Sequence, residues 1–255
     1  MSQLFNFSRF SRLLRKHTTE HLSSYLLQAA ALFGGLLLVI GGLTYLMHSP
    51  PSQTGQAVLY FFGLMGSGFF FASAAFRQYG AGSQAATALT LPASQLEKYL
   101  VAWLYSLPVF VVVFTAAFFA ADWLIIQLSA LSGPVGQLVN PMEGGEGLRY
   151  MLLLYLLVHS VALWGSIYFS KLQLVKTACA GLAALVVLFV GNYAAMNVMI
   201  STEVKFSNPF GGVVLPESRP IILPADQTWW LPLLLLALAA LLWVASYFRL
   251  TEKQL

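Results

Sequence analysis

Apolar residues in this 255-residue chain fall in long unbroken blocks, with neither strict alternation nor a single repeating face. Six blocks, at residues 25–47, 58–76, 100–121, 150–169, 177–200 and 229–248, contain no Lys, Arg, Asp or Glu. A bilayer core of about 30 Å takes about 20 helical residues, so each block is long enough to span. Pro50 and Pro51 lie in the short gap between the first two blocks and predict a tight hairpin there. Residues 123–131 are apolar but too few to span, which predicts an interfacial or re-entrant cap.

Residues 1–24 follow a different pattern. At 100° per residue, Phe7, Phe10, Leu13, Leu14 and His17 fall on one side, and Arg9, Arg12, Arg15 and Lys16 on the other. That separation predicts an amphipathic helix lying in the membrane interface, its basic face on anionic lipid heads. The predicted architecture is all-α: six transmembrane helices preceded by an N-terminal interfacial helix. The domain boundary falls between residues 24 and 25, and the outer loops cover residues 122–149 and 201–228.

Composition narrows the class further. Hydrophobic residues make up 58% of the chain and charged residues 9%, against about 25% charged in a soluble domain. So few charges cannot cover a water-soluble surface, which excludes a soluble enzyme, a nucleic-acid binder and a disordered chain. Cys179 is the one cysteine, so neither an intrachain disulfide nor a cysteine-based metal site is available. The first apolar block is too long for a signal-peptide core, and no lipidation motif is present.

Lys and Arg set the expected orientation. With six spans, both termini share a side. That side holds Arg9, Arg12, Arg15, Lys16, Arg77, Lys98, Lys171, Lys176, Arg249 and Lys253, ten of the thirteen basic residues. Arg149, Lys205 and Arg219 are the three on the other side. The expectation is a multi-pass protein with both termini cytoplasmic.

Several chemistries are missing from the sequence. There is no G-x-x-x-x-G-K-[ST] phosphate loop and no H-E-x-x-H zinc spacing. The six blocks hold no acid, which argues against a proton- or cation-coupled carrier. Among their polar residues are Gln28, Ser67, His159, Ser166, Asn192 and Asn197, and most are expected to form hydrogen bonds between helices. Ser67 and His159 are central in their blocks and suggest a nucleophile and base of an intramembrane serine hydrolase. Met65 stands where the rhomboid-type G-x-S-G would need glycine.

The most informative connector runs from residue 77 to 98. It is weakly charged, although on the side predicted to be cytoplasmic. Gly80 and Gly82 permit a sharp turn, and the Ala-rich stretch from Ser83 through Ala86 to Leu89 suits a short helix. Pro92 interrupts it, and Ser94-x-x-Glu97 is a capping box opening the next helix beside Lys98. A short apolar helix held between two turns suits docking on a protein partner.

The stretch Leu91-Pro92-Ala93-Ser94-Gln95-Leu96-Glu97-Lys98-Tyr99-Leu100 resembles the intracellular segment of type-two ATP-binding cassette (ABC) exporter permeases, particularly a group common in Bacteroidota. The ending Tyr247-Phe248-Arg249-Leu250-Thr251-Glu252-Lys253-Gln254 is similar to that group's C-terminal tail. The layout of helices is similar throughout, although the outer segment at 122–149 is longer than the resemblance leads one to expect. What the resemblance implies is a permease subunit in a bacterial cytoplasmic membrane, with no catalysis and no cofactor of its own. Two permeases, alike or different, would form the path in the lipid, and two separate ATPase subunits would supply the energy. By position, the 80–91 region, with Gly80, Gly82, Ser83, Ala86 and Leu89, would be the coupling helix seated on the ATPase. Pro92, Ser94, Glu97 and Lys98 would fix its return into the membrane. A secondary transporter or channel, a membrane-embedded assembly factor and the Ser67–His159 hydrolase remain the alternatives.

Overall fold

The computed structural model describes residues 5–76, 94–130, 145–169, 172–200, 204–207, 212–215, 220–222 and 230–252. Its helices are α1 (Phe7–Met47), α2 (Gln53–Ala74), α3 (Gln95–Leu104), α4 (Phe110–Ala130), α5 (Gly145–Tyr168), α6 (Gln173–Ile200) and α7 (Trp230–Glu252). A π-helical turn, Tyr105–Val109, joins α3 to α4 without a break. Counting α3, the π turn and α4 as one, six helices are long and apolar enough to cross a membrane. The protein is an all-α polytopic membrane protein.

Two expectations about boundaries are corrected. The N-terminal amphipathic segment and the first span are one helix of 41 residues, capped by the Asn6 side chain. No Gly or Pro occurs between Phe7 and Phe33, so nothing interrupts it at residue 24. At 1.5 Å per residue it measures about 60 Å, twice a bilayer core. Residues 123–130 likewise form no separate cap but continue α4. One charged residue, Asp122, does not end a helix that lacks Gly and Pro, so an acid lies within the third long helix after all.

Long-range contacts give the packing. Arg9 meets Glu97, Thr18 meets Tyr105, and Gly41 approaches Ile125, so α1 and α3–α4 run parallel side by side. α2 returns antiparallel after the hairpin at Pro50 and Pro51, with Tyr60 bonded to Thr115 at 3.0 Å and Gly63 against the Phe114 ring. Phe110, Phe114 and Phe118, four residues apart, stack up one face of α4 and form the centre of the buried core with Ile40, Leu64 and Tyr155. α5 packs against α2, α6 and α7. Tyr155 lies directly over Gly68, where a Cβ would overlap its ring; that glycine lets α2 and α5 approach.

α6 is the least enclosed helix. Every residue from Leu182 to Val190 is exposed, all of them apolar, the composition of a helix surrounded by lipid or by another apolar helix. Beyond it lies a small antiparallel sheet of β1 (Phe206–Ser207), β2 (Gly212–Val214) and β3 (Pro220–Ile222), in that order. Asn192 donates to Ser207 Oγ, and Asn197 accepts from the Val204 amide at 2.8 Å. These two asparagines therefore tether the sheet and do not link helices.

Candidate functional site

The basic ends of α1 and α3 form a clamp. Ser94 caps α3: its hydroxyl accepts from the Glu97 amide at 3.2 Å, and Glu97 Oε2 accepts from the Ser94 amide at 3.0 Å. The second carboxylate oxygen faces α1, accepting from the Asn6 amide at 2.9 Å and from Arg9 Nη2 at 3.2 Å. Glu97 is completely buried, so these partners replace its lost water. Lys98 is buried too. Both therefore position the chain here and present no surface. Arg9, expected on the lipid-facing basic side, is turned to Glu97, and Lys16 pairs with Glu20 at 3.6 Å. Arg12 and Arg15 are exposed. Gly80, Gly82, Ser83, Ala86, Leu89 and Pro92 lie outside the described residues.

Further along, the π turn carries a buried polar node. Trp243 Nε1 donates to His159 Nδ1 at 3.3 Å, and His159 Nε2 lies 3.0 Å from Ser106 Oγ. Ser106 Oγ in turn donates to the Trp103 carbonyl at 3.3 Å. Pro108 has no N–H, so this turn is short of a donor and the Ser106 hydroxyl supplies one. The direction of the chain sets the imidazole tautomer. An indole can only donate, so Nδ1 accepts, Nε2 carries the proton, and that proton goes to Ser106. A histidine in this state cannot take a proton from Ser106 as a general base does. The node joins α3, α5 and α7 as a fully satisfied structural link.

Ser67 is not part of it. Its hydroxyl donates to the Gly63 carbonyl of its own helix, and no bond joins it to His159. The suggested nucleophile–base pair is not formed: Ser67 lines a groove beside α1, and both ring nitrogens of His159 are taken by Ser106 and Trp243. The Gln28 and Ser166 side chains also bond within their own helices, although the Ser166 carbonyl accepts from Gln173 of α6 at 2.9 Å; of these six residues, His159 alone uses its side chain to bond another helix among the described residues.

Ser67 faces a cavity of about 850 Å³ bounded by α1, α2, the π turn and α4. It is a groove open toward the lipid side, since Phe62 and Phe70 on its rim are about two-thirds exposed. Of the aromatic run on α2, Phe62, Phe70 and Phe71 line it, whereas Tyr60 is committed to the core against Phe114 and Phe118. At the groove's basic end, Tyr25 and Tyr105 stack at 5.1 Å, Tyr105 bonds Thr18, and Tyr25 bonds His17 at 2.7 Å. The α1 half of this arrangement was invisible in the sequence, because it depends on which helix lies beside residues 17–40. Asp122 is completely buried, and among the described residues neither of its carboxylate oxygens has a hydrogen-bond partner.

No protein-family model, curated protein or solved structure matches this chain.

Proposed function

We propose that this chain is the transmembrane permease subunit of an ABC exporter, working with a separate ATPase and a second permease in a bacterial cytoplasmic membrane, both termini cytoplasmic. The observation that carries this reading is the Glu97 clamp. It ties the return of the 77–98 connector to the start of α1, and α1 and α3–α4 then run parallel along two walls of the groove. A partner pushing on the connector moves these two walls together against α2, and the groove changes shape. The absence of a phosphate loop from the 255 residues agrees with energy supplied from outside the chain.

Purification in mild detergent from its native host tests this. A P-loop ATPase should accompany the protein, and Ala86→Asp or Leu89→Asp should release it while expression is retained, since burying an unpaired charge in an apolar interface costs more than the roughly 2–7 kcal/mol of an unpaired neutral polar group. Absence of any such ATPase would remove the proposal. Asp122 favours one other reading, a secondary transporter, because an unpaired intramembrane acid is the group an ion-coupled carrier uses. Transport that persists in liposomes without ATPase, driven by an ion gradient and lost in Asp122→Asn, would establish that reading instead.

A further inference from the structure

The groove differs sharply between its two ends. Its middle is walled by apolar side chains, among them Leu32, Leu36, Phe62, Phe70 and Val113. Its floor is open at Gly35 and Gly66, where a Cβ would meet nothing within 4 Å. At the basic end the lining changes to Thr18, Tyr25, Gln28 and Tyr105. Thr18 donates to the Leu14 carbonyl, Tyr105 to Thr18, and Tyr25 is bonded to His17, so the Gln28 amide, with one hydrogen on Ser24, keeps a second for a ligand. Arg15 stands three residues before Thr18 on α1, on the same side of the helix. It is exposed and forms no ion pair among the described residues.

An apolar trough that opens to lipid and ends in a side-chain amide and an exposed guanidinium has the shape and polarity of one class of ligand. We propose that the groove binds a membrane amphiphile with an anionic headgroup, its acyl chain between α1 and α2 and its headgroup beneath Arg15. A second copy of this chain is a poorer occupant. The exposed apolar face of α6, from Leu182 to Val190, carries no acid to meet Arg15 and no polar group to meet the Gln28 amide. The site rests on the permease reading for its purpose, as the place where an inner-leaflet amphiphile enters the path.

The test uses the full chain in nanodiscs without any ATPase, so its failure leaves the permease reading to the co-purification experiment. The probes are phosphatidylglycerol and phosphatidylcholine, each with a photoreactive diazirine on the acyl chain, and adducts are mapped by peptide mass spectrometry. The phosphatidylglycerol label should concentrate on α1 and α2 residues of the groove. Gly66→Leu and, separately, Gly35→Leu fill open space and should lower that label at least about five-fold, a loss of about 1 kcal/mol. Gly191→Leu, also in open space but on α6, should leave it unchanged. Arg15→Gln should erase the preference for phosphatidylglycerol over phosphatidylcholine. The proposal is overturned if label spreads evenly over α6 and the groove and ignores the leucine variants. It is equally overturned if the wild type labels the two lipids alike, or if cysteines at Leu36 cross-link two copies while the groove takes no lipid.

Discussion

Arg9 and Glu97 are 88 residues apart in the chain, yet the guanidinium lies 3.2 Å from the carboxylate and joins the first turn of one helix to the first turn of another. The two ends of this contact are unequal. Glu97 is fully buried, whereas the Arg9 side chain is 38% exposed. Solvent screens the ion pair, so a double-mutant cycle on Arg9→Gln and Glu97→Gln should return a coupling of only about 1 kcal/mol. Glu97→Ala should cost more than either, because the Asn6 and Ser94 amides lose their acceptor as well. Thermal unfolding in detergent measures both; equal losses for Arg9→Gln and Glu97→Ala would show that the amides contribute nothing.

The polar node should behave as structure. Trp243→Phe removes the donor to His159 Nδ1 and should lower stability by about 1–3 kcal/mol, and Ser106→Ala should do the same at the other ring nitrogen. Because Nε2 holds a proton, neither Ser106 nor Ser67 should react with a fluorophosphonate. Mass spectrometry of the treated protein would reveal an adduct on either serine, and such an adduct would reinstate the hydrolase.

Asp122 is buried with both oxygens unpartnered among the described residues, so removing its carboxyl should not harm the fold. Asp122→Asn keeps the shape and should melt at or above the wild-type temperature in detergent. A loss of several degrees would mean that the carboxylate has a partner in the membrane.

Gly68 supports Tyr155 directly, and any side chain there must displace the ring. Gly68→Val should therefore destabilise by about 1–3 kcal/mol, and the added change Tyr155→Leu should recover much of that loss by vacating the space. Failure of the second change to rescue the first would place the strain elsewhere.

Orientation is open to direct labelling. With Cys179 replaced, a cysteine at Gly82 should react with an impermeant thiol reagent from the cytoplasmic face alone, and one at Ser218 from the opposite face alone. Reaction of both from one side would refute the six-span topology.

The class of this protein was written in its one-dimensional pattern. Six charge-free apolar blocks long enough to span dictate helices in lipid, because only a helix or a closed barrel satisfies its backbone there. The capping box at Ser94 and Glu97 and the turn at Pro50 and Pro51 were equally legible, since each is completed by residues within a few positions of one another. Where the helices end was not: Asp122 read as a boundary, and residues 1–24 as a separate element, because charge density marks preference for water and does not break hydrogen bonds along a helix. Pairing lay wholly with the tertiary structure. His159 found Ser106 and Trp243 and not Ser67, Arg9 found Glu97, and the groove arose where α1 stands off from α2. Within a membrane every helix is apolar on most of its surface, so hydropathy cannot say which faces meet; small residues such as Gly68, and a few buried polar atoms, decide it by how closely they allow two backbones to approach.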